Sequence, residues 1–233
     1  MNALKLSIKR RGAIAAAVVL LSLSAGAQAQ LSNIGLRVGY NTASMTAVYS
    51  TFGNQISWTG KSNFGGSAGF HVGLSGDISI SEMDIGGDIY AFGISPNALF
   101  TSKNVSKNVR QTGTYNTGTY DINAYWLDVP VPLVFKRDFG NYKVRVELGP
   151  YVAVGLFGDK HLLVRGAGWD MKEPTFGGND GDEVPRLDYG LFYGVTVEFA
   201  DRYFLGIRYG SGLSDSESGS AYLTIGYNIR LMD

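Results

Sequence analysis

The sequence predicts an all-β fold in which eight antiparallel strands form an up-and-down transmembrane β-barrel. Three observations support this prediction: one long alternating stretch, an export signal, and connections of alternating length. In the stretch 142–157 every even position is apolar or aromatic, while the odd positions are charged, small or aromatic. A period of two is typical of a β-strand with two different faces. The stretch exceeds an ordinary strand of about 5–6 residues, and about 9–11 tilted residues cross a bilayer.

Residues 1–29 are interpreted as a secretory signal peptide, which leaves a barrel domain over residues 30–233. Four basic residues precede an apolar run from Ala13 to Leu23, and Ala27-Gln28-Ala29 has the small-x-small pattern of a cleavage site. The apolar run is shorter than the roughly 20 residues that a spanning helix needs, which argues against a membrane anchor. We therefore expect export to the outer membrane of a Gram-negative bacterium, with a mature N-terminus at Gln30.

The composition excludes several classes of function. The chain has 20 Lys+Arg and 20 Asp+Glu, and removal of the four signal bases leaves 16 against 20, a net charge of −4. A mildly acidic mature protein lacks the basic footprint of a nucleic-acid partner. The absence of cysteine excludes disulfides, thiolate chemistry and a lipid anchor on cysteine. The 32 glycines and 14 tyrosines fit closely packed strands with aromatic ends.

The eight predicted strands are segments of alternating residues bounded by turn residues or polar loops. They are 34–40, 67–75, 91–103, 124–136, 142–157, 187–199, 203–210 and 221–231. Short connections alternate with long ones, as in outer-membrane barrels with short periplasmic turns. An even number of strands would place both termini in the periplasm. The connection 76–90 is open to two interpretations, a turn or strand extensions that break at Gly86-Gly87.

The charged face of each strand is expected to point into the barrel and the apolar face toward lipid. The predicted lumen ion network comprises Arg37, His71, Asp128, Lys136, Lys143, Arg145, Glu147, Asp188, Glu198, Arg208 and Arg230. Side chains fill the interior of an eight-stranded barrel, so we expect this network to plug the lumen rather than conduct. The alternative is a soluble barrel of the lipocalin type, which would have to fit bulky apolar rows into a narrow interior.

Prolines inside the predicted strands indicate a local interruption of the sheet, because each proline removes a ladder donor. A hairpin centred on Phe139-Gly140 would place Pro130 beside Gly149 and Pro150. We therefore predict an interrupted or bulged level at this height of the barrel.

Catalysis, metal binding and a cofactor are not expected. The chain has two histidines, His71 and His161, and no nucleophile motif accompanies either of them. His71 is interpreted as a hydrogen-bonding residue of the lumen. The acidic loop 177–183 offers oxygens that suit Ca²⁺, but it lacks the EF-hand spacing and is interpreted as a solvated loop.

Four short motifs resemble the small outer-membrane β-barrel family common in Bacteroidetes, the PorT-like group. They are ISPNALF from Ile94, WLDVP from Trp126, ELGPY from Glu147 and DYGL from Asp188. The resemblance implies a non-enzymatic barrel with a structural or envelope-interaction role, and it allows a role accessory to protein secretion. The chain departs from the family pattern at Asn97, where an acid is common, and in its longer segment between strands two and three.

The C-terminus is similar to a barrel-assembly signal, which combines a polar residue, a glycine and two spaced hydrophobic residues. These are Thr224, Gly226, Ile229 and Leu231. The usual terminal aromatic residue is missing. The expected partners are outer-membrane lipid, the barrel-assembly machinery, and other envelope or secretion proteins.

Three functions remain open at this stage. We favour a membrane scaffold that contacts other envelope proteins. The alternatives are a small porin, and a lipid-modifying enzyme with polar catalytic groups at its outer rim.

Overall fold

A computed structural model describes residues 30–48, 61–111, 114–176, 184–200, 202–214 and 218–231. The predicted signal peptide and the acidic loop 177–183 lie outside these residues. Apart from one short 3-10 helix, Arg165–Ala167, the regular structure of this part of the chain consists of β-strands. Within it, no helix is long and apolar enough to cross a membrane.

The described residues form twelve strands in one antiparallel sheet. They are β1 Gln30–Val48, β2 Lys61–Gly66, β3 Ala68–Ile85, β4 Asp88–Ile94, β5 Asn97–Arg110, β6 Thr117–Pro130, β7 Leu133–Asp138, β8 Tyr142–Val164, β9 Trp169–Pro174, β10 Leu187–Phe199, β11 Tyr203–Gly212 and β12 Gly219–Arg230. The antiparallel all-β fold is as predicted, but the strand count differs from eight. One reason is that the chain path breaks at Ser95-Pro96 and at Val131-Pro132, which divides two predicted strands. Another is that β2 and β9 were not predicted.

The pairings close the sheet into a ring. β1 pairs with β3, and the ring continues through β5, β6, β8, β10, β11 and β12. It closes where β12 returns to β1, from Asn33 opposite Arg230 to Ser44 opposite Gly219. β4 and β7 pair with each other between β3 and β8. Ring closure leaves the spanning strands without open edges, as a membrane requires.

The two ends of the barrel differ. The turn end carries the tight connections 138–142 and 199–203, and Gln30 and Leu231 lie there as well. The loop end carries the longer connections, and at this end β9 pairs with the upper half of β8. β3 and β4 form a hairpin that projects from the turn end around Gly86-Gly87. The open interpretation of segment 76–90 is therefore resolved in favour of strand extensions.

The predicted interruption near the prolines is confirmed, although the predicted register is wrong. The strand stops at Pro130 and resumes at Leu133, which separates β6 from β7. Pro130 lies opposite Tyr151 and Leu133 opposite Leu148, so the pairing is displaced by two residues from a hairpin centred on Phe139-Gly140. The displacement arises because Phe139 N–H donates to the Tyr142 carbonyl at 2.9 Å, which centres the turn one residue later.

The two faces of β8 separate apolar from charged side chains. Leu148 is 56% exposed on the outside, whereas Arg145 and Glu147 are buried inside. The alternation changes phase at Leu156, which has no partner between the pairs Tyr125–Phe157 and Trp126–Gly155. A bulge of one residue moves the following side chains to the opposite face. Phe157, expected on the inner face, is therefore 57% exposed on the outside.

Aromatic side chains on the outer surface mark two levels. Toward the loop end, Tyr125 stacks on Phe157 with ring centroids 4.8 Å apart. At the turn end, Phe139 stacks on Tyr142 at 5.0 Å. With a rise of about 3.4 Å per residue and a tilt of about 40°, the segment 144–156 between them covers about 30 Å along the barrel axis. This length matches the thickness of the hydrocarbon core of a bilayer.

Candidate functional site: the filled lumen

An ionic layer fills the lumen nearest the turn end. Asp77 accepts hydrogen bonds from Lys136 Nζ at 3.0 Å and from Arg145 Nη1 at 2.7 Å. Arg145 Nε also lies 2.6 Å from Glu147 Oε1. Arg208 binds the same carboxylate with two nitrogens, Nε at 2.7 Å and Nη2 at 3.1 Å. Two arginines and two carboxylates thus neutralise one another in a space closed to solvent.

Arg37 adjoins this layer without a carboxylate of its own. Its guanidinium carbon lies 4.6 Å from the centroid of the Phe204 ring, a cation–π contact. Among the described residues, its Nε and Nη1 have no hydrogen-bond partner. The ring of Phe204 in turn rests on Gly226, where a Cβ would overlap it.

A second layer, of aromatic and polar side chains, occupies the middle of the lumen. His71 Nε2 and Thr224 Oγ1 are 2.9 Å apart, and the histidine ring meets Tyr222 edge-on at 5.4 Å. Tyr222 donates its hydroxyl to Asp128 at 3.0 Å, and Lys103 Nζ lies 3.1 Å from the other oxygen of Asp128. His71 is thus fully buried, in contact with Thr224 and Tyr222.

Asp188 links the side chains of the lumen to the connection between β11 and β12. Its carboxylate accepts hydrogen bonds from the Tyr151 hydroxyl at 3.0 Å and from Ser214 at 2.6 Å. Ser218 donates to it as well, at 2.5 Å. Because the two serines stand on either side of residues 215–217, one buried acid fixes both ends of this connection.

Hydrophobic side chains fill the lumen toward the loop end. Phe176, which follows β9, meets Trp126 edge-on at 5.3 Å and lies against Gly155, where a Cβ would overlap its ring. The members of this hydrophobic cluster are Ala43, Val105, Tyr120, Ile122, Ala124, Trp126, Tyr151, Ala153, Leu162, Val164, Phe176, Val184, Phe192 and Tyr222. Thr175 and Phe176, directly after β9, therefore pack back into the barrel.

The predicted lumen residues are distributed over the buried layers and the turn-end mouth. The buried ones are Arg37, His71, Asp128, Arg145, Glu147, Asp188, Glu198 and Arg208. Lys136 and Lys143 are partly exposed, with 18% and 27% of their side-chain surface accessible, and Lys143 lies 3.3 Å from Asp138. Arg230 differs from the prediction, because it is exposed and lines a cavity of about 270 Å³ at the mouth. It stands at the end of β12, where the barrel opens to water.

The sequence interpretation missed three buried ionic residues, Asp77, Lys103 and Lys160, the last of which lies beyond the bulge at Leu156. Asp77 falls in the connection 76–90, which the sequence leaves open between a turn and strand extensions. β3 continues through it, and its side chain keeps the phase of Ser75. Lys103 was placed on a strand and omitted from the network, although its odd position shares the inner face with Leu99 and Thr101. The alternation of side chains along the strands places Asp77 and Lys103 on the inner face, so these two residues could have been predicted from the sequence.

His161 lies away from the lumen. It is on the outward side of the loop-end sheet, where its Nε2 is 2.7 Å from Asp170 Oδ1. Within the described residues, no group of three or more His, Cys, Asp or Glu side chains is placed to hold a metal ion.

The predicted assembly signal lies on β12 and just after it. Thr224 points into the lumen, whereas Ile229 and Leu231 are about half exposed on the outside. Gly226 lies between the Phe204 ring and the Leu36 carbonyl oxygen, so that a Cβ there would overlap both. The sequence pattern of the signal thus coincides with a packing requirement of the folded barrel.

Replacement of Gly226 by alanine is expected to lower the free energy of unfolding by about 1–3 kcal/mol, because the new methyl group forces backbone or ring to move. The measurement is a urea titration of the protein folded into lipid vesicles. Gly210→Ala is the matched control, since the nearest atom to its Cβ would lie at 3.7 Å, an ordinary contact. Equal loss in both variants would contradict the packing role of Gly226.

Comparison with known proteins gives the family. A family model described as "outer membrane protein beta-barrel domain" matches residues 27–218. The chain belongs to this family. Membership places this outer membrane β-barrel protein in the outer membrane. A search of the curated proteins finds no match.

Several solved structures are similar to this outer membrane β-barrel protein. Ail of Yersinia pestis, in complex with the heparin analogue sucrose octasulfate, has 12% identity and a TM-score of 0.35, covering 86% of this chain and 100% of Ail. Neisserial surface protein A has 13% identity and a TM-score of 0.34, covering 85% and 97%. The translocator domain of NalP from Neisseria meningitidis has 13% identity and a TM-score of 0.31, covering 97% and 98%.

Proposed function

We propose that this protein is a non-enzymatic scaffold of the outer membrane, whose surfaces outside the bilayer contact other envelope proteins. The observation that carries the proposal is the filling of the lumen at three successive levels. An ionic layer around Glu147, an aromatic and polar layer around His71 and a hydrophobic layer around Phe176 follow one another along the axis. A lumen filled in this way leaves little room for water or a substrate along the axis, which supports a function carried by the parts that project from the membrane.

We infer that the twelve strands are eight barrel strands with interruptions and extensions. β2 continues into β3, β5 continues β4 and β7 continues β6, while β9 flanks the ring without joining it. An even count puts both ends of the chain at the turn end. This favours a periplasmic turn end, since outer-membrane barrels keep their short turns there. We infer likewise that cleavage after Ala29 gives the mature chain.

A role accessory to protein secretion is the finer proposal. It rests on the four motifs that resemble the PorT-like group. Three of these motifs supply carboxylates of the lumen, Asp128, Glu147 and Asp188, which join distant strands to one another. The motifs therefore support a shared internal architecture, while the choice of partner depends on the projecting segments.

Planar-bilayer recording tests the closed lumen. We expect no steady conductance from the wild-type protein, because all three layers would have to rearrange to admit ions. The double variant Trp126→Ala/Phe176→Ala removes only the hydrophobic layer and is expected to remain closed. Steady conductance of the wild type that a bulkier residue at Ala153 abolishes would instead establish a porin.

Co-purification tests the scaffold role. The full-length protein is solubilised in mild detergent from its native membrane, and a second outer-membrane barrel prepared in parallel serves as the control. We expect envelope proteins to be enriched with this protein and not with the control. An absence of enriched partners would overturn the proposed role.

A further inference from the structure

The β3–β4 hairpin at the turn end has an open backbone edge. β3 pairs with β1 only as far as Ser79, which lies opposite Gln30, the first described residue of β1. β3 then continues to Ile85, paired on its other side with β4. Among the described residues, nothing pairs with the β1-side edge of segment 80–85. Expected cleavage of the signal peptide leaves this edge uncovered in the mature chain.

This open edge has to lie in water. A strand edge in hydrocarbon would leave its N–H and C=O groups without partners, which membranes do not tolerate. The apolar residues on the hairpin are nevertheless exposed: Ile80 by 56%, Met83 by 42% and Ile85 by 61%. An open edge combined with exposed apolar side chains is the usual signature of a strand-binding surface.

The two faces of the hairpin differ in chemistry. Met83 lies opposite Tyr90, which places an apolar residue and an aromatic ring on the same outward face. Glu82 and Asp84 lie on the other face, opposite Ala91 and Ile89. An added strand would continue this alternation, with every second residue beside the apolar face and the intervening residues beside the acids.

The basic residues at the turn-end mouth do not neutralise the carboxylates of Glu82 and Asp84. Three bases line the mouth cavity together with Glu82: Lys136 is bound to Asp77, Lys143 is bound to Asp138, and Arg230 shares the cavity with Glu82 and Glu198. With Asp84 on the same face of the hairpin as Glu82, carboxylates remain in excess of bases. The carboxylates of Glu82 and Asp84 thus favour a basic partner. A second copy of this hairpin would bring two more carboxylates to the same edge, so it fits the acidic face less well than a basic segment does.

We propose that the edge at 80–85 binds an extended segment of an envelope partner in which basic and apolar residues alternate. Binding occurs by strand addition, where main-chain hydrogen bonds give affinity and alternate side chains give specificity. This inference rests on the proposed scaffold function and names the surface that carries it.

The test uses the full mature protein folded in nanodiscs and three fluorescent eight-residue peptides. One alternates lysine and valine, one alternates glutamate and valine, and one is the lysine peptide with a central valine changed to proline. We expect the lysine peptide to bind and to slow hydrogen exchange at 80–85. The proline peptide should bind about tenfold more weakly, because it cannot complete the ladder.

Charge reversal on the hairpin distinguishes strand addition at 80–85 from nonspecific electrostatic attraction of a basic peptide. Glu82→Lys/Asp84→Lys is expected to prefer the glutamate peptide, whereas Glu173→Lys, on exposed β9 at the loop end, should keep the wild-type preference. Heat-modifiable mobility on gels verifies that each variant is folded. An unchanged preference after reversal, or no protection at 80–85, would overturn the inference and leave the closed lumen intact. Ion conductance by the wild type would overturn the scaffold function independently of either peptide result.

Discussion

Replacement of Glu147 by leucine is expected to lower the free energy of unfolding by about 3–5 kcal/mol, the usual cost of leaving a buried partner charge uncompensated. Glu147 is fully buried and accepts hydrogen bonds from Nε and Nη2 of Arg208. Arg145 Nε also lies 2.6 Å from its carboxylate. Without the carboxylate, Arg208 loses its ion pair with Glu147, while Arg145 keeps its pair with Asp77. Urea titration of the protein in lipid vesicles measures the difference.

Two further variants decide whether the loss comes from the charge. Glu147→Leu/Arg208→Met removes both members of the pair and should recover a large part of the stability, since an apolar pair of similar volume replaces an ionic one. Glu173→Gln, at an exposed position, should stay within about 0.5 kcal/mol of wild type. Wild-type stability of Glu147→Leu would show that the ionic layer does not hold the barrel together.

Replacement of Leu148 by arginine is expected to destabilise the folded protein by about 2–4 kcal/mol, the cost of a cation on the lipid face near the bilayer midplane. Leu148 lies on the outward side of β8, opposite Leu133 and Tyr193, and within the segment assigned to hydrocarbon. The same vesicle titration gives the value. The fraction that folds in short-chain and long-chain lipid gives an independent measure of assembly.

Tyr115→Arg is the matched control for this prediction. Tyr115 is 93% exposed in the connection between β5 and β6 at the loop end, so the same cation there remains in water. We expect a change of no more than about 0.5 kcal/mol. If Leu148→Arg were tolerated equally well, the outward face of β8 would not contact hydrocarbon.

The faces of the strands could be predicted from the sequence because side chains alternate with a strict period. This reasoning placed Leu148 outside and Glu147 inside without knowledge of any neighbour. It failed for Phe157, because the extra residue at Leu156 changes the phase and no residue type announces a bulge. The interruption near Pro130 was predictable, since proline lacks a donor, whereas the exact pairing depended on one turn hydrogen bond.

The candidate site was predictable as a set of residues and unpredictable as a set of contacts. Arg145 and Asp77 are separated by 68 positions, and only the closed ring brings them to 2.7 Å. Asp128 and Tyr222 are separated by 94. Residue types indicate that buried charges need partners, but sequence separation alone does not determine which partner lies across the barrel.

The ladder between β1 and β12 also constrains how the molecule forms. Leu36 pairs with Tyr227, so closure joins segments from opposite ends of the polypeptide. Such long-range contacts form slowly. Until they form, β1 and β12 have unpaired edges that can pair with other chains. A chaperone that covered these two strands before closure would prevent pairing with other chains. Longer connections at the loop end add little to the entropic barrier to closure, because that barrier grows only logarithmically with loop length, so their length can vary at small cost.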